Sequence, residues 1–319
     1  MIKPIEGAKK ILKTGLGVKD NETVLIIAEK STAKDALFFM ESAKEIKINV
    51  SMLVIPNLKF NGEEPAEYIA KIMQLPNAVI AATNHSISTT SARVQACKAG
   101  VRFISIPTFT RNTLCKGCIE ADFLKIKPTV WKVAERLTQA QIVKITSESG
   151  TNLTFSVAGR HGNAVDFICH EPNCYRSMSV ESCIAPVEDS ATGTLIVDVA
   201  APSKLGCKGI IKFDIEKGTI KKISGGVNAK PFRQILDKIG DPNIYRIAEF
   251  GIGLNPAVKL TGMNYIEDES ALGTAHIGIG RNVSIGGKIQ AKGHFDLIFK
   301  SPSVFLDNSL LMDKGNLKL

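Results

Sequence analysis

Two of the chain's five histidines stand in a stretch crowded with glycines and acids. Gly251, Gly253, Gly262, Gly273, Gly278, Gly280, Gly286, Gly287 and Gly293 punctuate it, interleaved with Glu249, Glu267, Asp268, Glu269, His276, His294 and Asp296. Glycine inside strand-like sequence costs stability and marks bulges or the close approach of backbone or ligand. His294-Phe295-Asp296, followed by Leu297-Ile298-Phe299, reads as a strand. Residues i and i+2 of a strand share a face, so this imidazole and carboxylate project side by side while Phe295 turns to the core. His276, within Ala275-His276-Ile277-Gly278-Ile279, reads as a second strand. A solvated polar pair would account for His294 and Asp296 taken alone. With His276, Glu249 and the glycines beside them, a metal site is the better reading. Two neutral imidazoles and a carboxylate suffice for a non-haem Fe(II) facial triad, or for half of a dinuclear zinc-type site.

A dinuclear hydrolytic site needs further carboxylates, whose oxygens hold two cations about 3.5–4 Å apart. Glu249, in Ile247-Ala248-Glu249-Phe250-Gly251, is an acid in an otherwise apolar strand, which is costly unless it is paired or metal-bound. Glu181, in Val180-Glu181-Ser182-Cys183-Ile184, is the same kind of anomaly. Glu269 is placed as a general base or as a group that orients a ligand. Any one of these acids alone could equally stand at the surface.

The elements that must position these residues fall into two textures. Up to about residue 110, short apolar runs alternate with helical stretches: strands at 23–28, 50–55, 78–82 and 101–106, helices at 33–47, 65–74 and 88–99. Such repetition implies a parallel sheet covered on both faces, an open α/β domain. After Gln139 the strands alternate in character and pair around turn signals. Glu148-Ser149-Gly150, Glu216-Lys217-Gly218 and Asp307-Asn308 each sit between two such runs, with one helix at 231–239. The fold class is therefore α/β plus α+β: an N-terminal α/β domain over residues 1–125 and a strand-rich, metal-binding catalytic domain over 126–319.

Glu181 in ESCIAP, Glu249 in AEFGIG, Asp268-Glu269-Ser270 ahead of AHIGIG, and HFD at 294–296 resemble, in order and spacing, the metal motifs of the aminopeptidase T metallopeptidases. Over the N-terminal half the resemblance rests on the α/β texture and on TNHSISTTSARVQACKAG. It implies that Glu181, Glu249, His276, His294 and Asp296 bind one or two divalent metals (Zn, Co or Mn), with Glu269 as catalytic base. It also implies a homodimer and a metal-activated water that attacks an amide or N-terminal peptide bond in a short peptide or small molecule. The family's catalytic tyrosine, seven residues beyond the histidine of the HIGIG-like strand, is here Val283. The 2,5-dihydroxypyridine dioxygenases resemble a branch of the same fold, sharing the HxD strand and the trailing SVFLDN-like hairpin. They imply the alternative reading, ring cleavage by O₂ at a single Fe(II).

The rest of the chain mainly excludes. At 319 residues with 44% hydrophobic and 22% charged, it is an ordinary globular chain, neither disordered nor a disulfide scaffold. The N-terminus lacks a signal-peptide pattern and no apolar run could span a bilayer, so the expected location is the cytoplasm, with no membrane partner. The net charge of +9 is scattered rather than clustered, which argues against nucleic acid. No GxGxxG or P-loop supports a nucleotide cofactor. Seven cysteines, including Cys115, Cys118, Cys169 and Cys174, are read as reduced thiols rather than a zinc site. His85, after an apolar strand, with Arg93 one helix face away, sits where open α/β sheets bind ligands and is a candidate substrate contact, as is His161.

Overall fold

The apolar run Val24-Leu25-Ile26-Ile27-Ala28 is buried along its whole length, as a strand covered on both faces must be. In the computed structural model, which describes residues 1–201, 209–262 and 264–319, it lies inside a five-stranded parallel sheet. The order across this sheet is Asn49–Ile55, Thr23–Glu29, Ala78–Ala82, Arg102–Ile106 and Tyr175–Ser177. Helices Ala33–Ile46, Glu67–Ile72 and Ser91–Lys98 make the crossovers. The first crossover runs one way from Thr23–Glu29 and the later ones run the other way, so the sheet has a switch point between Thr23–Glu29 and Ala78–Ala82. The Glu29 carboxylate fills it, accepting the backbone N–H groups of Asn84 (2.9 Å), His85 (3.1 Å) and Leu58 (3.3 Å).

Two compact units result. One comprises Met1–Lys125 and Asp166–Ser179, the other Ile126–Val165 and Val180–Leu319. The excursion Asp166–Ser179, which supplies the last parallel strand, was not distinguished in the sequence. Nor was the helix Phe123–Gln139, because Pro128 stands inside it and reads as a breaker. A short helix, Tyr265–Asp268, adds to the single helix expected among the later strands, found at Ala229–Ile239.

The second unit contains two antiparallel sheets. Eight strands run in the order Thr219–Gly225, Ile211–Glu216, Thr192–Val197, Asn152–Ser156, Ile142–Thr146, Ser303–Leu306, Ser309–Asp313 and Asn316–Leu317, and contain all three expected hairpins. Five more run in the order His294–Lys300, Thr274–Gly280, Ile247–Gly253, Glu181–Ile184 and Asn163–Val165. Aromatic rings tie the two together. Phe155 meets Phe250 edge-on at 5.5 Å between centroids, and Phe232 of the helix Ala229–Ile239 is contacted edge-on by Phe213 and Phe295. Phe295 thus packs inward, and its neighbours His294 and Asp296 are left on the opposite face.

Candidate metal site

One face of the five-stranded sheet carries the predicted ligands, and strand alternation explains which residues reach it. The side chains of Glu181, Glu249, His276, His294 and Asp296 rise from four adjacent strands, and each finds a glycine as a cross-strand neighbour. Gly253 lies opposite Glu181, Gly251 opposite His276, Gly278 between Glu249 and Asp296, and Gly280 opposite His294. The spacing has a steric cause. A Cβ on Gly251 would lie 2.0 Å from His276 Nε2, and one on Gly278 would lie 2.7 Å from Glu249 Cβ and 2.8 Å from His294 Cε1. The repeated glycine-isoleucine-glycine of both central strands therefore clears the site face, while Ile252, Ile277 and Ile279 fill the core.

A bulge aims Glu249. Ile247 pairs with Ile279 and Glu249 with Gly278, so Ala248 is the extra residue. The buried Asn282 side chain holds it, donating to the Ala248 carbonyl (3.0 Å) and accepting the Ile289 N–H (2.8 Å). From this bulge Glu249 reaches both histidines. Its Oε2 lies 3.3 Å from His294 Nε2, and its Oε1 lies 3.9 Å from His276 Nε2. His294 Nε2 is also 3.1 Å from Asp296 Oδ1, and His276 Nε2 is 3.4 Å from Glu181 Oε2. On the far side of its ring, His294 Nδ1 donates to the Arg281 carbonyl at 2.7 Å. That bond fixes the ring and leaves Nε2 directed at the carboxylates, the arrangement a metal-ligating histidine requires. His276 Nδ1 is buried with no hydrogen-bond partner among the described residues.

Glu249, His294 and Asp296 can each present one ligand atom within 4.8 Å of the others. The electrostatics also call for a cation. Burial opposes a charge on either imidazole, yet the surrounding carboxylates prevail. Hydrogen bonding to Glu249 and the charges of Glu181, Asp296 and Glu249 push His276 up to about 9. His294 is held well above the usual histidine range by Asp296 and Glu249. Glu249, despite its burial, is held well below the carboxylate range by its bonds to the two histidines. The carboxylates thus favour positive charge at these imidazoles, charge that a divalent cation would supply in a proton's place. Oxygen and imidazole donors, one ring already oriented, and a face cleared by glycine together fit such an ion.

Glu269 belongs to the same field. Burial, then the charges of Glu181, Asp296 and Glu249, push its carboxyl well above the usual range. Its loop crosses the sheet at Gly253, where a Cβ would meet the Ala271 and Glu269 carbonyl oxygens at 2.3 and 2.6 Å. His161 lines a hollow of about 440 Å³ with Arg160, Asn163, Glu188, Ser284 and Lys288, beside the edge strand Asn163–Val165. His85 and Arg93 belong to the parallel-sheet unit. His85 Nδ1 lies 3.3 Å from Asn84 Nδ2, and Arg93 donates to the Ser88 carbonyl and covers the Tyr175 ring at 4.6 Å. The sequence reading missed Asn282 and the Arg281 carbonyl. A backbone acceptor leaves no signature in residue type, and Asn282 acts on a bulge that only the strand pairing discloses.

Fold and site define a two-unit α/β protein whose antiparallel sheet presents a carboxylate–imidazole cation site. The chain belongs to the NicX family, described as 2,5-dihydroxypyridine 5,6-dioxygenase, whose model matches residues 8–319. It is 32% identical over 142 residues to the 2,5-dihydroxypyridine 5,6-dioxygenase of Pseudomonas putida KT2440, a match spanning 41% of each chain. The solved structure of the 2,5-dihydroxypyridine dioxygenase from that organism superposes with a TM-score of 0.83 at 21% identity, covering 99% of this chain and 96% of the other. AmpT from Thermus thermophilus superposes at 0.75 with 14% identity, covering 99% of both chains.

These findings overturn the expectation of an amide-cleaving aminopeptidase, and with it the hydrolase and metalloprotease reading. The likeness to AmpT is one of fold, and the donor types that suggested peptide hydrolysis serve either chemistry. Val283, where the peptidase resemblance calls for a phenol, already departed from it. No helix among the described residues is long and apolar enough to cross a membrane.

Proposed function

We propose that this chain is a ring-cleaving dioxygenase acting on a dihydroxylated pyridine or a closely similar electron-rich ring. The observation that carries the reading is the Glu249–His294–Asp296 cluster, lying within a match to the dioxygenase family that runs from residue 8 to residue 319. These three residues would hold Fe(II), the metal the family resemblance implies. Bound there, Fe(II) supplies the one-electron chemistry that lets O₂ react with a hydroxylated ring.

The protein's own part follows from the geometry. The Arg281 carbonyl keeps His294 in one tautomer, and His276 with Glu181 braces the other oxygen of Glu249. Gly251 and Gly278 make room on the site face for the His276, Glu249 and His294 side chains to converge. Glu269, whose carboxyl is pushed well above the usual range, is the group to exchange a proton with a ring hydroxyl. The hollow lined by His161 and Lys288, in which Arg160 is paired with Glu188, is the candidate place for a polar ring substituent.

The test is oxygen uptake by protein loaded anaerobically with Fe(II) and mixed with 2,5-dihydroxypyridine. One O₂ consumed per ring opened is expected, with metal binding and turnover both lost in His294→Ala and Asp296→Ala. Iron-loaded wild-type protein that consumes no O₂ with any dihydroxylated pyridine or benzene ring would refute the proposal.

A further inference from the structure

The parallel-sheet unit carries a group of thiols that the metal site does not use: Cys97, Cys169 and Cys174. Two of them are brought together by a turn. In Glu171-Pro172-Asn173-Cys174, the Cys174 N–H donates to the Glu171 carbonyl at 3.2 Å and Asn173 has a φ of 66°. Proline followed by a left-handed asparagine is the signature of a tight reversal. The chain folds back so that Cys174 Sγ lies 4.0 Å from the Ile168 carbonyl oxygen, on the carbon bonded to the Cys169 nitrogen.

Both cysteines also grip the same residue of the neighbouring strand. Phe103 donates its N–H to the Cys174 carbonyl (2.9 Å) and accepts from Cys169 Sγ on its own carbonyl (3.7 Å). The two thiols are close enough for each to shift the other's acidity. Cys169 is fully buried and Cys174 half-buried. Cys97 Sγ lies 3.8 Å from the Cys174 carbonyl oxygen.

We propose that Cys174 and Cys169 form a dithiol oxidation site, in which a hydroperoxide attacks at Cys174 and Cys169 resolves the product into an intrachain disulfide. The Cys174 sulfur attacks one peroxide oxygen, the O–O bond breaks, and the departing hydroxide takes a proton, leaving a sulfenic acid and one water. The Cys169 sulfur then attacks that of Cys174, the S–O bond breaks, and the Cys169 proton leaves with the hydroxide as a second water. Two thiols and one hydrogen peroxide thus become one disulfide and two waters, and a small dithiol reverses the change. The division of roles follows the surroundings. The neighbouring Cys169 thiol, aided by the Arg176 charge and opposed by burial, pulls the Cys174 thiol down to about 7. Burial pushes the Cys97 thiol up. The more acidic sulfur, on the half-buried residue, attacks, and the one on the fully buried residue resolves.

The experiment is peptide mapping of all seven cysteines in the full-length protein after graded hydrogen peroxide, followed by alkylation. In untreated protein at neutral pH, Cys174 should alkylate at least about fivefold faster than Cys97, since its larger thiolate fraction outweighs its lower nucleophilicity. Peroxide should join Cys169 to Cys174 with loss of two hydrogens, reversibly with dithiothreitol. Cys169→Ala should stop at a dimedone-reactive Cys174, and Cys174→Ser should leave Cys169 reduced. The wild-type map stands by itself should either variant fold poorly. A Cys97–Cys174 bridge, irreversible oxidation of Cys174 with Cys169 free, or two thiols untouched by peroxide would each overturn the proposal.

Discussion

The glycine at 278 offers a way to disturb the metal site without touching a ligand. Its backbone lies outside the left-handed region, so alanine is conformationally acceptable there. The added methyl would lie 2.7 Å from Glu249 Cβ and 2.8 Å from His294 Cε1. Carbon atoms pack at roughly 3.5 Å or more, so each neighbour must retreat by about 0.7 Å. Metal–ligand distances tolerate only about 0.2 Å, so two of the three cluster residues would leave ligand range together. The expected result for Gly278→Ala is a folded protein, destabilised by about 1–3 kcal/mol through overpacking. Its affinity for Fe(II), or for Mn(II) as a redox-inert probe, should fall by about 10- to 100-fold. Anaerobic calorimetric titration measures the affinity, and a thermal melt verifies the fold. Gly251→Ala is the companion variant: its methyl would press first on His276, outside the three-residue cluster, and should weaken binding less. If folded Gly278→Ala takes up metal within about twofold of wild type, the cluster does not hold the ion and the reading of this sheet face is wrong.

Three further outcomes are expected. Glu269→Gln should leave metal stoichiometry unchanged in elemental analysis while lowering turnover by about 100-fold or more, as loss of a general acid–base group does; undiminished turnover would remove Glu269 from the chemistry. Asn282→Ala, which strips the Ala248 carbonyl and the Ile289 N–H of their buried partner, should cost about 2–3 kcal/mol in denaturant unfolding and also weaken metal binding. In the parallel-sheet unit, buried Arg102 donates to Glu22 at 2.6 Å. Although burial opposes it, the Lys19 N–H and Arg102 hold the Glu22 carboxyl below its ordinary value. Its contribution to stability is therefore complete above the unfolded carboxylate pKa, near pH 4.5, and is lost as pH falls through the lower folded value. Glu22→Gln should cost on the order of 3 kcal/mol at pH 7 and flatten the acid limb of the melting curve, whereas an unchanged limb would refute the assignment.

The local features of the fold were legible because they are written locally. Buried runs such as Val24–Ala28 and Ala78–Ala82, and the turn residues between alternating strands, state their own structure. The pairing of His294 with Asp296 followed from a period of two. The reason for the glycines did not, since Gly251 answers His276 across a strand boundary and nothing in the residues around it names that partner. Tyr175–Ser177 escaped notice because three residues are too few to show a period, and its pairing with Phe103–Ser105 is non-local. The reaction was misread for another reason. Glu181, Glu249, His276, His294 and Asp296 declare that a cation is wanted but not what it is to do, and Val283 was the one residue arguing against the peptidase.

The passage of the chain between its two units also bears on how the protein is made. The backbone crosses from one to the other three times, after Lys125, Val165 and Ser179. A ribosome releasing residues 1–125 has delivered only four strands of the parallel sheet, and Arg102–Ile106 is then an open edge. That edge waits for Tyr175–Ser177, which emerges only after the long helix and the first hairpin of the other unit, several seconds later at ordinary elongation rates. Unpaired edges recruit foreign strands, so the nascent protein passes through an interval of exposure that no finished copy displays. Truncation at 125 would make that interval permanent, and a soluble first unit would have to carry residues 166–179 with it.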